Sequence, residues 1–299
     1  MGDPKVSAPD LDPYLDVQYD ARASVPDYDV YARLYRSLSD EAYAALPHKE
    51  AAYGPGAREI LDVFPQPPHA DAPVFVFVHG GYWRALSKEE SAFVAPMLHR
   101  AGAVVVSVDY ALAPGATLPQ IVDQVRRAVV WTHREIAAYG GDPGHVVICG
   151  SSAGGHLAGM VLADGWHDRY GIPVDAVTGG LLISGLHDLT PLLRTRVNGW
   201  LDLNLSSARE NSPLFHLPAA PKAPLVACHG ALESEEFIRQ TRGIADTWAA
   251  CGGRARYASV PDRDHFSVAV DLSDPESTVG AAALNLLGLD CAGDGAVST

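Results

Sequence analysis

The chain is poor in cysteine and carries no long apolar run. Its four cysteines among 299 residues, Cys149, Cys228, Cys251 and Cys291, lie far apart with no C-x-x-C pair. That spacing excludes a disulfide framework and points to reduced thiols. No uninterrupted apolar segment approaches membrane-spanning length, which excludes an integral membrane protein of the helical class. The opening stretch MGDPKVSAPDLDPYLD is acidic and polar and lacks the pattern of a secretion signal, so a cytoplasmic location is expected. Basic residues are few, 22 against 36 acidic ones, and scattered; the formal net charge is −14. A nucleic-acid phosphate surface is therefore not expected. The twelve histidines contain no H-E-x-x-H and no Cys/His ligand spacing, so no metal and no cofactor are expected. Repeats and low-complexity tracts are absent too.

What the chain does have is enough apolar content, 47%, to bury one full-size core. Residues 1–55 are rich in aromatics, and their apolar spacing predicts one or two helices starting near Pro26, an N-terminal extension packed on a larger body. From residue 56 to about 290 strands and helices alternate. Strands are predicted at 58–64, 74–78, 103–110, 145–150, 179–185, 224–230 and 256–260. Helices are predicted at 88–101, at 119–139, from Ala153, at 234–251 and near the C-terminus, with residues 291–299 as a tail. Near-continuous apolar strands separated by amphipathic helices predict an α/β fold, a mostly parallel central sheet with helices on both faces. Residues 186–216 break the alternation and are a candidate substrate-lining insertion.

The segment GSSAGG, starting at Gly150, follows a predicted strand and opens a predicted helix. It satisfies G-x-S-x-G, the sharp turn that lifts a serine hydroxyl clear of a sheet, with Ser152 at its centre. A serine needs a base to become a nucleophile. In folds of this order the acid and then the histidine follow on loops after later strands. His265, in DRDHFSV after the last strand, is the candidate base. After PLVACHG the acidic candidates are Glu233, Glu235 and Glu236; Glu233 is nearest the strand end, while Glu235 and Glu236 read as first-turn helix carboxylates. Asp188, after an earlier strand, is a rival for the acid. Acyl transfer also needs backbone N–H donors for an oxyanion. HGGYW, His79 to Trp83, is the glycine-rich loop that can supply them, with Gly81 and Tyr82 donating alongside Ala153. Tyr82, Trp83 and His156 are the candidate substrate-contacting residues, although Trp83 reads equally well as core packing under the loop.

Together HGGYW, GSSAGGHLAGM at 150–160, ESEEFIRQ at 233–240 and DHF at 264–266 resemble the kynurenine formamidase (arylformamidase) branch of the α/β-hydrolases. The resemblance extends to YDARASVPD, to SVDYALAP at 107–114 and to GGDP at 140–143. It implies an α/β-hydrolase fold with Ser152 as nucleophile, His265 as base, and Gly81 and Tyr82 in the oxyanion hole. Members usually carry aspartate where Glu233 stands. The activity implied is cleavage of an aryl formamide such as N-formylkynurenine to formate and the arylamine, without a cofactor. Broader action on short-chain or aryl esters, and a non-catalytic ligand-binding homologue, are the alternative readings. The partner expected is a small molecule rather than a nucleic acid or a membrane, and the sequence leaves monomer or homodimer open. A carboxylate on such a substrate would need a cation; Arg84, Lys88, Arg194 and Arg196 are the candidates.

Overall fold

A computed structural model describes residues 11–289. The expected C-terminal tail, 291–299 with Cys291, lies outside them. Among the described residues eight strands form one sheet in the order β1-β2-β4-β3-β5-β6-β7-β8. They are β1 Lys49–Ala52, β2 Ile60–Phe64, β3 Ala72–Val78, β4 Val104–Val108, β5 Gly141–Ser151, β6 Gly179–Ile183, β7 Leu225–Gly230 and β8 Ala255–Val260. β1 pairs antiparallel with β2, and β2 antiparallel with β4; every later pairing is parallel. The α-helices are α1 Pro13–Gln18, α2 Tyr28–Ala45, α3 Ala95–Arg100, α4 Leu118–Glu135, α5 Ala153–Leu162, α6 His167–Tyr170, α7 Asn198–Leu201, α8 Leu205–Glu210, α9 Glu235–Ala250, α10 Ser267–Val270 and α11 Thr278–Leu286. None of the described helices is long and apolar enough to cross a membrane.

The central strands are apolar throughout because both faces are covered. In β3, Val74, Val76 and Val78 enter one core while Phe75 and Phe77 enter the other. The period-2 alternation of a strand makes that division unavoidable. Full burial of each of these side chains stabilises the fold by about 1.5–3 kcal/mol. The valine side is covered by α4, α5 and α9, and the phenylalanine side by α3, α11 and part of α2. α9 shows how sequence sets this packing. Ser234 caps its N-terminus by accepting from the Phe237 N–H, and Phe237, Gln240, Thr241, Ile244, Ala245 and Trp248 form its buried stripe. α4 starts with a capping box between Thr117 and Gln120.

Three local expectations change. The stretch 88–101 is two 3₁₀ turns followed by the short α3 rather than one helix. Pro96 lies in the first turn of α3, and lacking an N–H it cannot continue a helix from upstream. The sheet begins at Lys49, inside the stretch expected to be purely helical; KEAA is a short, mostly exposed edge strand without apolar alternation. The N-terminal helices start at Pro13 and Tyr28, so the first precedes the expected start near Pro26.

Candidate active site

The parallel strands all end on one edge of the sheet, and the chemistry-bearing loops leave from there. β5 runs into α5 through Ser152, whose φ of 57° and ψ of −119° lie outside the regions favoured by L-residues. The Ser152 N–H is held by the Ile183 carbonyl at 2.8 Å. Strand and helix cross so closely that a Cβ on Gly154 would come within 2.0 Å of the Val78 carbonyl oxygen, which explains the small residues around the serine.

Ser152 Oγ lies 2.9 Å from His265 Nε2, and His265 Nδ1 lies 2.6 Å from Glu233 Oε2. The other glutamate oxygen, Oε1, accepts from the Ser184 hydroxyl at 2.6 Å and from the Gly230 N–H at 2.7 Å. The Glu233 side chain is fully buried, so these three donors replace its water. The Phe237 ring packs 4.3 Å from the imidazole. With Nδ1–H directed to the carboxylate, Nε2 is left free to accept the serine proton.

The other acidic candidates are committed elsewhere. Asp188 accepts from the N–H and hydroxyl of Thr190, Glu235 from the Tyr14 hydroxyl, and Glu236 pairs with Arg239 and the Tyr19 hydroxyl.

The HGGYW loop faces the serine. Gly81, Tyr82 and Trp83 all have positive φ, 98°, 51° and 57°. The loop is braced from behind: His79 Nδ1 donates to the Gly80 carbonyl at 2.8 Å, its ring stacks 4.1 Å from Tyr110, and the Tyr110 hydroxyl donates to the His79 carbonyl. Among the described residues the N–H groups of Gly81 and Tyr82 meet no acceptor. The N–H of Ala153, first residue of α5, has no partner within its helix.

A cavity of about 260 Å³ opens over Ser152 and His265. Its walls are rich in rings: Tyr19, Tyr28, Tyr82, Phe93, Trp200 and Phe266 among them. Residues 186–216 contribute Arg196, Val197 and Trp200 to this lining. Two expected substrate contacts need correction. Trp83 and His156 are both 0% exposed and do not line the cavity. Trp83 Nε1–H donates to His156 Nδ1 at 3.2 Å, and His156 Nε2–H donates to the Asn211 carbonyl at 2.6 Å, so the pair is a buried, satisfied bridge behind the loop. Burial, with a smaller contribution from Arg126, pushes the His156 pKa down to about 4, which keeps the ring neutral. Tyr82 does line the cavity.

Sequence reasoning missed the part played by the N-terminal segment. Tyr19, Asp20, Arg22 and Tyr28 line the cavity, and the Tyr82 hydroxyl donates to the Tyr19 carbonyl. The density of tyrosines before residue 36 was the available signal. Ser184 was missed as well, although its position at the carboxyl end of β6, beside the serine turn, marks it as a site residue.

Residues 75–266 match the α/β hydrolase fold family. The chain is 35% identical over 243 residues to the kynurenine formamidase of Salmo salar, covering 79% of this chain and 80% of that one. It is an α/β-hydrolase of the kynurenine formamidase-like branch. This hydrolase is also 28% identical over 263 residues to esterase LipC of Mycobacterium tuberculosis (strain ATCC 25618 / H37Rv), covering 80% of its own length and 64% of that relative. Its fold matches the solved structure of the hyperthermophilic esterase from the archaeon Pyrobaculum calidifontis with a TM-score of 0.72 at 21% identity, over 93% of this chain and 98% of that one. The hydrolase is thus an enzyme of the serine-hydrolase class, a formamidase or carboxylesterase.

Proposed function

We propose that the enzyme is an aryl formamidase that cleaves N-formylkynurenine or a closely similar N-formyl arylamine. The observation that carries this reading is the Ser152–His265–Glu233 chain of hydrogen bonds opening into a cavity walled by aromatic rings. In the proposed reaction Ser152 Oγ attacks the formyl carbon while His265 Nε2 takes its proton. Glu233 holds the imidazole in the competent tautomer and stabilises its charged form. The oxyanion is bound by the N–H groups of Gly81, Tyr82 and Ala153, each donor worth about 3 kcal/mol of barrier. His265 then delivers its proton to the departing aryl nitrogen, and a water activated by the same histidine releases formate from the formyl-serine.

A small acyl group suits the space around the serine, because Trp83 and His156 fill the volume behind the loop and the cavity does not reach them. The aromatic walls suit the aryl side, where stacking rewards a planar leaving group. The second reading, a carboxylesterase on short-chain or aryl esters, is favoured by the similarity to LipC and uses the same residues. The test is kcat/KM on N-formylkynurenine beside p-nitrophenyl acetate and butyrate. A preference for the formamide is expected; a preference for both esters with the formamide barely turned over would replace the leading reading with the second.

A further inference from the structure

The cavity lining contains three arginines and two acids, and their pairing is unequal. Arg196 is committed: its guanidinium bonds Asp16 at 2.7 Å and Asp20 at 3.0 Å. Glu90, the second acid of the lining, accepts from the Ser87 hydroxyl and lies 3.7 Å from Arg36. Of the remaining basic candidates, Lys88 is buried against Asp62 at 2.7 Å and Arg194 pairs with Asp12. Arg22 and Arg84 are left over. Among the described residues neither has a carboxylate within ion-pair distance, both line the cavity, and both are exposed, which puts them at its mouth.

Each of the two instead lies over an aromatic ring of the same lining. The Arg84 guanidinium carbon sits 3.6 Å from the Trp200 ring centre, and that of Arg22 sits 4.2 Å from the Tyr28 ring centre. Such stacking satisfies the face of a guanidinium and leaves its in-plane N–H groups free to meet a planar anion two at a time. The rings are themselves fixed, since Trp200 Nε1–H donates to the Tyr82 carbonyl and the Tyr28 ring packs edge-on against Phe266. Two oriented cations without counter-ions, in a chain of net charge −14, call for an anion from outside.

We propose that Arg22 and Arg84 are specificity-determining residues that clamp a carboxylate carried on the leaving-group side of the substrate. The proposal rests on the serine-hydrolase reading of this cavity and deepens it: the preferred substrate is an acyl-aryl compound that carries a carboxylate, and analogues without the carboxylate are poor ones. Arg22 comes from the N-terminal segment, so that segment selects the substrate as well as covering the site.

The test compares N-formylkynurenine with 2-formamidoacetophenone, which keeps the aryl formamide and lacks the amino-acid end, in the full-length wild type and in Arg22→Gln, Arg84→Gln, Arg84→Lys and the double glutamine variant. The ratio of kcat/KM values, carboxylate-bearing over carboxylate-free, is expected to fall about tenfold in each single glutamine variant, chiefly through KM, and further in the double variant. Lysine at 84 should restore part of it, and salt should lower the wild-type ratio. Circular dichroism confirms that the variants are folded. An unchanged ratio in the double variant overturns the clamp. If wild type turns over neither formamide, the formamidase reading fails by itself, and the same ratio taken with 3-(2-acetoxyphenyl)propanoate over phenyl acetate decides the clamp: a fall supports it, and no fall overturns it.

Discussion

Glu233 reaches His265 with one carboxylate oxygen, 2.6 Å from Nδ1, while its other oxygen is pinned by Ser184 and Gly230. The extra methylene of glutamate over the more usual aspartate is thereby accommodated: the side chain spans from the end of β7 to the imidazole and is anchored at β6 on the way. Glu233→Gln replaces an oxygen by an N–H donor next to Nδ1 and so favours the wrong tautomer. We expect kcat to fall about 10³–10⁴-fold with the melting temperature little changed. Steady-state kinetics alongside a thermal melt checks this; a loss below tenfold would mean that the carboxylate does not orient the histidine.

Ser184→Ala removes one of the two donors on Glu233 Oε1 and leaves the Gly230 N–H in place. Ser184 touches neither the nucleophile nor the base, so it acts as a positioning residue. Loss of one hydrogen bond to a buried charged group corresponds to about 1.5–3 kcal/mol, or roughly ten- to hundredfold in kcat, with KM little affected. Threonine is no substitute here, because φ at Ser184 is 51°, a conformation that strains a β-branched residue. An unchanged kcat in the alanine variant would mean that the hydroxyl does not position Glu233.

Gly81 has a φ of 98°, and a Cβ there would sit 2.2 Å from the Ala85 carbonyl oxygen. Gly81→Ala should therefore tilt the loop that offers its N–H groups to the oxyanion. The expected loss is about 10²–10³ in kcat, the scale of one oxyanion donor. An inhibitor that mimics the tetrahedral intermediate should lose affinity by a similar factor, whereas a substrate-like inhibitor should not.

Acid sensitivity should come from two fully buried histidines, His156 and His187, rather than from the site alone. Burial lowers the pKa of His156 to about 4 and that of His187 to about 3, against 6.5 when unfolded. Below pH 6.5 the unfolded chain takes up protons that the native rings refuse. The stabilisation is therefore complete above pH 6.5 and is lost progressively as pH falls toward 4 and 3. Between pH 7 and pH 5 each ring should cost about 2 kcal/mol. His156→Gln, whose amide can donate to the Asn211 carbonyl, should flatten this dependence in urea unfolding at the two pH values. An equal slope in the variant would assign the acid limb to other groups.

Much of this was legible in the sequence because it depends on local rules. Ser152 is announced by glycines that the strand–helix crossing demands, and His265 by its place after the last strand. Glu233 could be preferred over Glu235 and Glu236, because those two already fit the first turn of a capped helix. What escaped reading depends on contacts across hundreds of residues. Trp83 and His156 face each other behind the loop, and no local pattern distinguishes a ring that lines a cavity from one that is buried beside it. Tyr19 and Arg22 reach the site only because Tyr19 is tied to Glu236 and Gln240, more than 200 positions away. The edge strand at Lys49 escaped because its pairing with β2, not its hydropathy, makes it a strand.

The central claim, that Ser152 carries the acyl group, is tested most directly by covalent labelling. Wild-type enzyme is treated with diethyl p-nitrophenyl phosphate, residual activity is followed, and the modified residue is located by peptide mass spectrometry. The account predicts one adduct, on the peptide carrying Ser152, forming in step with loss of activity and absent in the inactive Ser152→Ala variant. Full activity after stoichiometric labelling of Ser152, or inactivation with the adduct elsewhere, would contradict it.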